Sequence, residues 1–551
     1  MNRPWVEHYA PGVKAEVEVT TYQSIAEIFD TYTDKYADNN AFISMDSVIT
    51  YRELRVKSEQ FAAYLQHELG LKKGDKFAIM LPNILQYPIA LFAALKAGLT
   101  VVNVNPLYTP RELKHQLNDS GATAIVVIEN FASVLGSVLD DTPIKHIITT
   151  QMGDCIGLVK GTLINTMIKR VKKMVPAFSL PNSVRFNQVL KQGQKLDFSA
   201  ADITSNDLAF LQYTGGTTGV AKGGMISHAN IVANMLQIQG MLSNNVTVNE
   251  EMVVTALPLY HIYALTVNCL GFMIIGGCNL LIANPRDIST FAKVINKYPV
   301  TMFAGVNTLF SGLLNDATFQ SIDFSRWKFS FAGGMATQRA VAERWQQVTG
   351  TPILEGYGLT ECSPCVTSSP INQTEFTGSI GLPICNTDVK IVDDKGNEVP
   401  TNEPGELWVK GPQVMEGYYN RPEATAEIMC DGWLATGDVA RIDERGYIFI
   451  VDRKKDMIIV SGFNVFPNEI EDIIAMIDDV LEVAVIGVPC DKTGEKIKVF
   501  VATKSGTLNK DAIISHCRDN LTAYKVPREF ELRDELPKSN VGKILRKELR
   551  T

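Results

Sequence analysis

Short apolar runs and helix-periodic segments alternate through the first 374 residues, and that alternation leaves few architectures open. Helical spacing of apolar residues covers 24–37, 51–68 and 87–97, while 76–81, 101–104 and 124–127 are strand-sized apolar runs. The same rhythm continues with strands at 207–212, 252–257, 300–304, 329–331 and 352–355 and a helix at 230–241. Strands separated by helices build parallel sheets covered on both faces, so an α/β fold is expected. Near residue 375 the pattern changes to short β-rich runs at 388–392, 406–410 and 447–451 between Gly- and Pro-containing turns, which predicts a small β-barrel or sandwich. The charged run Asp452-Arg453-Lys454-Lys455-Asp456 then precedes an α+β remainder with segments at 467–476, 481–488 and 498–503. The 551 residues therefore divide into a large N-terminal domain, 1–452, and a smaller C-terminal domain, 453–551, with a hinge at about 452–456. Within the first, two α/β subdomains at about 20–205 and 206–374 are expected, followed by the barrel at about 375–451.

Charge and cysteine usage exclude several classes. With 52 Lys+Arg against 60 Asp+Glu the net charge is −8, so no general electrostatic grip on nucleic acid is expected. The nine cysteines are scattered and odd in number, the usage of a reduced, cytoplasmic protein. Cys362 and Cys365 form a lone CxxC with no second pair, and plain packing is their expected role. The start Met1-Asn2-Arg3-Pro4-Trp5 has no apolar export core. One stretch, 252–285, carries no Asp, Glu, Lys or Arg, and 265–283 is long enough to cross a bilayer. Asn268, Asn279, Gly271 and Gly276-Gly277 break it into pieces suited to burial between sheet and helices.

One segment runs against the acidic trend: 155–196 holds eight Lys/Arg and no Asp or Glu. Ile164, Met167, Ile168, Val171 and Val175 follow helical spacing there, with Asn165, Lys169, Arg170, Lys172 and Lys173 on the other side. Such a face suits either an anionic bilayer at the inner side of the membrane or the body of the protein itself. Monomer and homodimer both remain open.

The most informative local run is Tyr213-Thr214-Gly215-Gly216-Thr217-Thr218-Gly219-Val220-Ala221-Lys222-Gly223, placed between a strand and a helix. Its glycines let backbone amides approach an anion, the threonine hydroxyls add donors or a metal ligand, and Lys222 adds charge. No Gly-Lys-Ser/Thr closes it, so it is a phosphate loop outside the Walker A form. A divalent ion such as Mg²⁺ is implied, reaching protein through one or two oxygens. Three further runs accompany it: Glu355-Gly356-Tyr357-Gly358-Leu359-Thr360-Glu361, the acid Asp438 closing Asp431-Gly432-Trp433-Leu434-Ala435-Thr436-Gly437-Asp438, and Lys543 closing Lys538-Ser539-Asn540-Val541-Gly542-Lys543.

Together and in this order, these runs closely resemble the adenylate-forming superfamily, which includes acyl-CoA synthetases, firefly luciferase and peptide-synthetase adenylation domains. The resemblance covers nearly the whole chain, and 431–471 looks most like bacterial long-chain fatty acyl-CoA synthetases. It implies ATP-dependent activation of a fatty acid as acyl-AMP, then transfer to coenzyme A, with a mobile C-terminal domain. By motif matching, Thr214 and Glu361 would hold Mg²⁺. The Thr217–Lys222 loop, with Thr218, Gly219 and Lys222, would hold the β- and γ-phosphates, with Tyr213, Gly215 and Gly216 also at the nucleotide, and Asp438 with Arg453 would hold the ribose. Gly333, Gly334, Met335 and Tyr357 would flank adenine and the carboxylate, with Gly356, Gly358 and Thr360 also binding the nucleotide. Lys543 would bridge the two anions, and His261 would line the acyl tunnel. Lys455 would be the hinge, and Ser461, Gly462 and Phe463 the pantetheine path. The sequence departs from relatives at Gly215, often Ser, and at Leu265, where some long-chain members carry a gating tryptophan. An acyl-AMP ligase serving a carrier protein is the alternative within the family, although only eight residues follow Lys543. A nucleotide-binding lipid-uptake or scaffold protein without turnover is the alternative of another class.

Overall fold

A computed structural model of the chain describes residues 3–214, 221–242, 245–461, 463–490, 492–539 and 542–550. Its first large sheet has eight strands, in the order Gly417–Tyr418, Lys222–Ser227, Leu208–Thr214, Thr100–Asn103, Lys76–Met80, Ala124–Ile128, His146–Thr150 and Val184–Arg185. From Leu208–Thr214 onward the pairing is parallel, and the first two strands add antiparallel. The second sheet has nine strands and runs from Leu382–Pro383 through Cys365–Ser368, Ile353–Gly358, Phe329–Ala332, Met302–Gly305, Met252–Thr255 and Cys278–Leu281 to Asn40–Ser44 and Ser47–Thr50.

Sheet membership does not follow the chain in blocks. The hairpin Leu208–Thr214/Lys222–Ser227 completes the first sheet, although sequence order groups it with the second. Asn40–Ser44 crosses to the second, pairing in parallel with Cys278–Leu281. The helix Gln86–Lys96 is buried along its whole length between the sheets, which is why its sequence is apolar on every side. Capping boxes at Thr50/Glu53 and Thr109/Glu112 start the helices Tyr51–His67 and Pro110–Ser120 by satisfying their first amides.

The β-rich section forms a five-stranded antiparallel sheet, Asp388–Val392, Gly405–Lys410, Trp433–Ile442 and Met429–Cys430, with Ile448–Arg453 also paired to Trp433–Ile442. No pairing among the described residues closes it into a ring. The C-terminal sheet holds Phe463–Val465, Ile458–Val460, Gly494–Thr503, Val480–Cys490 and Glu529–Leu532, packed on the helices Pro467–Ala475 and Lys510–Asn520. The uncharged 252–285 stretch becomes a strand, a wide helical turn Ala264–Leu270, the helix Gly271–Ile274 and another strand. No helix among the described residues is long and apolar enough to cross a membrane.

Candidate active site

A cavity of about 1710 Å³ opens between the large N-terminal body and the C-terminal domain, and most of the singled-out residues line it. The antiparallel register of Leu208–Thr214 and Lys222–Ser227 sets Thr214 opposite Lys222. The loop between them, with Gly215, Gly216, Thr217, Thr218 and Gly219, lies outside the described residues, as does Gly462. Lys222 Nζ sits 5.1 Å from the Tyr418 ring centroid, and Tyr418 Oη donates to Glu361 Oε1 at 2.6 Å. Burial, then Glu361, raises the Tyr418 phenol, which keeps it a neutral donor. Thr214 and Glu361 share this end of the cavity with Tyr418, a residue the motifs do not single out.

The Tyr213 hydroxyl is committed elsewhere, donating to Asp119 Oδ2 at 2.8 Å. Its ring packs so tightly under Gly223 that a Cβ there would meet it at 3.0 Å. The donor set fits Mg²⁺. The Glu361 carboxylate and Thr214 hydroxyl are hard oxygens, and no group of three or more His, Cys, Asp or Glu among the described residues forms a metal cage. Such a site needs substrate phosphate oxygens to be completed, the usual habit of that ion.

Elsewhere in the cavity, Asp438 and Arg453 face each other across paired strands. Arg453 Nε lies 3.2 Å from Asp438 Oδ1, and Tyr357 Oη donates to Oδ2 at 2.6 Å. Asp438 is buried with its charge fully partnered, a rigid acceptor suited to a vicinal diol. Gly333, Gly334, Met335, Gly356, Gly358 and Thr360 line the same wall. Here a side chain at 333 would collide with the Gly356 carbonyl at 3.1 Å and the Tyr263 ring at 3.2 Å. That leaves a flat backbone slot beside Tyr357.

Glu355, which opens the Gly-Tyr-Gly run, lines the slot and is buried. Burial pushes its carboxyl up to about 8, while the Thr337 amide donates to Oε1 at 3.4 Å. No sequence pattern distinguishes it from an ordinary turn acid; only its depth in the fold does.

Lys543 enters from the C-terminal domain. Gly542 accepts from Thr308 Oγ1 at 3.3 Å and has φ +80°, and a Cβ there would meet that hydroxyl at 2.5 Å. Only glycine lets the loop seat so closely on the helix Asn307–Leu314. Burial, then the Arg453 charge, pulls the Lys543 ammonium down to about 8. Burial, then the Lys543 charge, pulls His261 down to about 4, so the imidazole is neutral. Its Nδ1 accepts from the Tyr263 amide at 3.3 Å.

This geometry has counterparts. A family model described as AMP-binding enzyme matches residues 29–419, and one described as AMP-binding enzyme C-terminal domain matches 469–543. The chain belongs to the AMP-binding enzymes.

Among its relatives, this AMP-binding enzyme is 54% identical over 550 residues to a long-chain-fatty-acid–CoA ligase of Yersinia pestis, covering 100% of this chain and 98% of that protein. A ligase of the same description from Haemophilus influenzae is 52% identical over 552 residues, again covering 100% and 98%. Of solved structures, ATP-bound MatB from Rhodopseudomonas palustris superposes with TM-score 0.79 at 27% identity, covering 95% of this chain and 98% of that one. An anthranilate CoA ligase in complex with anthranoyl-AMP reaches 0.85 at 24% identity over 97% and 98%, a likeness of fold alone.

Two groups of residues in the enzyme stand apart from the cavity. Ser461 and Phe463 do not line it; Phe463 is exposed and stacks on Tyr524 at 4.8 Å, on the C-terminal domain. Leu265, at the tryptophan-gate position, is fully buried in the core and turned away from the cavity, where Tyr263 and Val267 form the wall instead. Lys455 does line the cavity, near Arg453 and Asp438.

Proposed function

We propose that the enzyme joins long-chain fatty acids to coenzyme A at the expense of ATP, releasing AMP and diphosphate. The observation that carries this reading is the placement of half-buried Lys543, supplied by the C-terminal domain, in one cavity with Thr214, Glu361, Asp438 and an apolar arm lined by Val253, Met302, Ala304 and Val306. A fatty carboxylate has no leaving group. Its oxygen attacks the α-phosphate, the bond to the β-phosphate oxygen breaks, and the acyl-AMP anhydride forms. Two anions must meet for this, and the Lys543 ammonium neutralises the charge that develops between them. Asp438 and Tyr357 orient the nucleotide, and His261 stays neutral and closes the head of the acyl arm against water. Mg²⁺, held by Thr214 and Glu361, would supply charge neutralisation along the triphosphate.

Thioester formation then needs the thiol to reach the acyl carbon and AMP to leave with the electron pair. Rotation of the C-terminal domain about 452–456 would withdraw Lys543 and bring the Ser461–Phe463 face to the cavity. Purified enzyme given ATP, Mg²⁺ and palmitate is expected to form acyl-AMP, and with coenzyme A added, palmitoyl-CoA and AMP in equal amounts. ADP as product would sink the scheme. An acyl-AMP that accumulates unless a carrier protein is supplied would favour the carrier-protein alternative.

The basic segment supports a second element of this reading: cytoplasmic enzyme docked on the anionic inner face of the membrane, where its substrate partitions. The helix Leu158–Thr166 and the wide turn Met167–Val171 expose Leu158 at 91%, Val159 at 78%, Leu163 at 67% and Val171 at 73%. The apolar face thus differs from the spacing-based stripe, because Ile164 and Ile168 turn half-buried toward the body. Lys169 stays exposed but pairs at 3.4 Å with buried Glu129, which Arg185 approaches at 3.3 Å. Arg170, Lys172 and Lys173 remain exposed beside the apolar residues. Reversing these three to Glu is expected to weaken binding to phosphatidylglycerol vesicles by roughly 100-fold, at about 1 kcal/mol per basic residue. Unchanged vesicle binding would end the membrane reading and leave the chemistry untouched.

A further inference from the structure

The apolar arm of the cavity is floored by one face of the second sheet, and the parallel register divides that face into ranks. Val253 pairs with Met302 and Met302 with Phe329; one step along, Thr255 pairs with Ala304 and Ala304 with Phe331. Met302, Ala304 and Val306 alternate onto the cavity face, while Phe303 points into the opposite core. The reacting end of the arm lies at Val306 and Gly333: a Cβ at Gly542, next to Lys543, would meet Val306 at 3.3 Å, and one at Gly333 would meet the Tyr263 ring at 3.2 Å. Going down from Val306, the Ala304 rank comes after about 7 Å and the Met302 rank after about 13 Å, the length of about five and about ten extended methylenes. At the Met302 rank the arm meets a buried cluster of Val253, Phe272, Ile275 and Met302.

Ala304 is therefore the one methyl-sized side chain between the reacting end and that cluster on the central strand of the floor. Phe331 stands beside it in the same rank, so only the small size of residue 304 leaves the passage open. Met302 below is unbranched and adaptable, a side chain that can swing aside for a longer tail.

We propose that Ala304 is the chain-length determinant of the enzyme, with Met302 as the yielding floor beneath it. This rests on the ligase reading above and adds to it which side chains set the longest acid accepted. A bulky group at 304 closes the arm about five methylenes down, and each displaced methylene forfeits about a fourfold preference.

The test compares adenylation kcat/KM for hexanoate and palmitate in the full-length enzyme. Ala304→Phe is expected to lower the palmitate-to-hexanoate ratio by about 100-fold or more, and Ala304→Leu by about tenfold, with retained hexanoate turnover certifying the fold. Met302→Ala is expected to raise the ratio for palmitate over decanoate by about tenfold. An unchanged ratio in the Ala304 variants, or loss of both acids alike in both of them, overturns the gauge while the wild-type activity leaves the ligase reading standing. A wild-type enzyme that activates no fatty acid overturns both.

Discussion

Replacing Lys543 with alanine is expected to lower acyl-AMP formation by on the order of a thousandfold, the loss that follows removal of a preorganised charge donor from an active site. Conversion of supplied acyl-AMP and coenzyme A to thioester should stay within about threefold, because that step has no carboxylate–triphosphate repulsion to relieve. The structure gives this prediction a second readout. Burial and the Arg453 charge bring the Lys543 ammonium down to about 8. The active form is the protonated one, so kcat/KM for adenylation should be level below that pH and fall up to tenfold per pH unit above it. His261 does not produce this limb, being already neutral above about 4. The alanine variant should lack the alkaline limb that belongs to residue 543. Normal adenylation by Lys543→Ala would remove the residue from the mechanism.

Much of the fold is legible because parallel strands buried on both faces are written as short, nearly continuous apolar runs. The expected strand at 124–127 is Ala124–Ile128 in the structure, and the one at 329–331 is Phe329–Ala332. Partner choice is a different matter. Nothing local in Asn40–Ser44 says that it pairs with a strand more than two hundred residues away, since register depends on which apolar faces meet. The site divides in the same way. Thr214, Glu361, Asp438 and Lys543 sit in recognisable runs, and the structure brings all four to one cavity. Tyr418, Thr308 and Glu355 carry no such signal. Tyr418 earns its place through a bond to Glu361, Thr308 by seating Gly542, and Glu355 through depth. Leu265 shows the converse: a motif position can survive while its side chain points into the core.

Lys455→Pro is expected to act on the other half of the reaction. The strand Ile448–Arg453 ends the N-terminal pairing and Ile458–Val460 begins the C-terminal sheet, so residues 454–457 alone span the two bodies. Lys454 N donates to Gly437 O at 3.1 Å, and Asp456 N to Arg453 O at 2.9 Å. Among the described residues no hydrogen bond takes the Lys455 amide, so proline removes none in the arrangement that seats Lys543 in the cavity. Adenylation should therefore stay within about threefold. Proline fixes φ near −65° and restricts the residue before it. A rotation passing through 455 would lose its pivot and also has contacts to break, since Asp452 accepts from Asn468 N at 2.9 Å and lies 3.7 Å from Arg546. Thioester formation from supplied acyl-AMP should fall by on the order of 100-fold, the effect of a few kcal/mol on a backbone step. Lys455→Ala, which keeps φ free, should retain that step, separating backbone freedom from the loss of a charge. Equal losses in both half-reactions for the proline variant would place the pivot elsewhere.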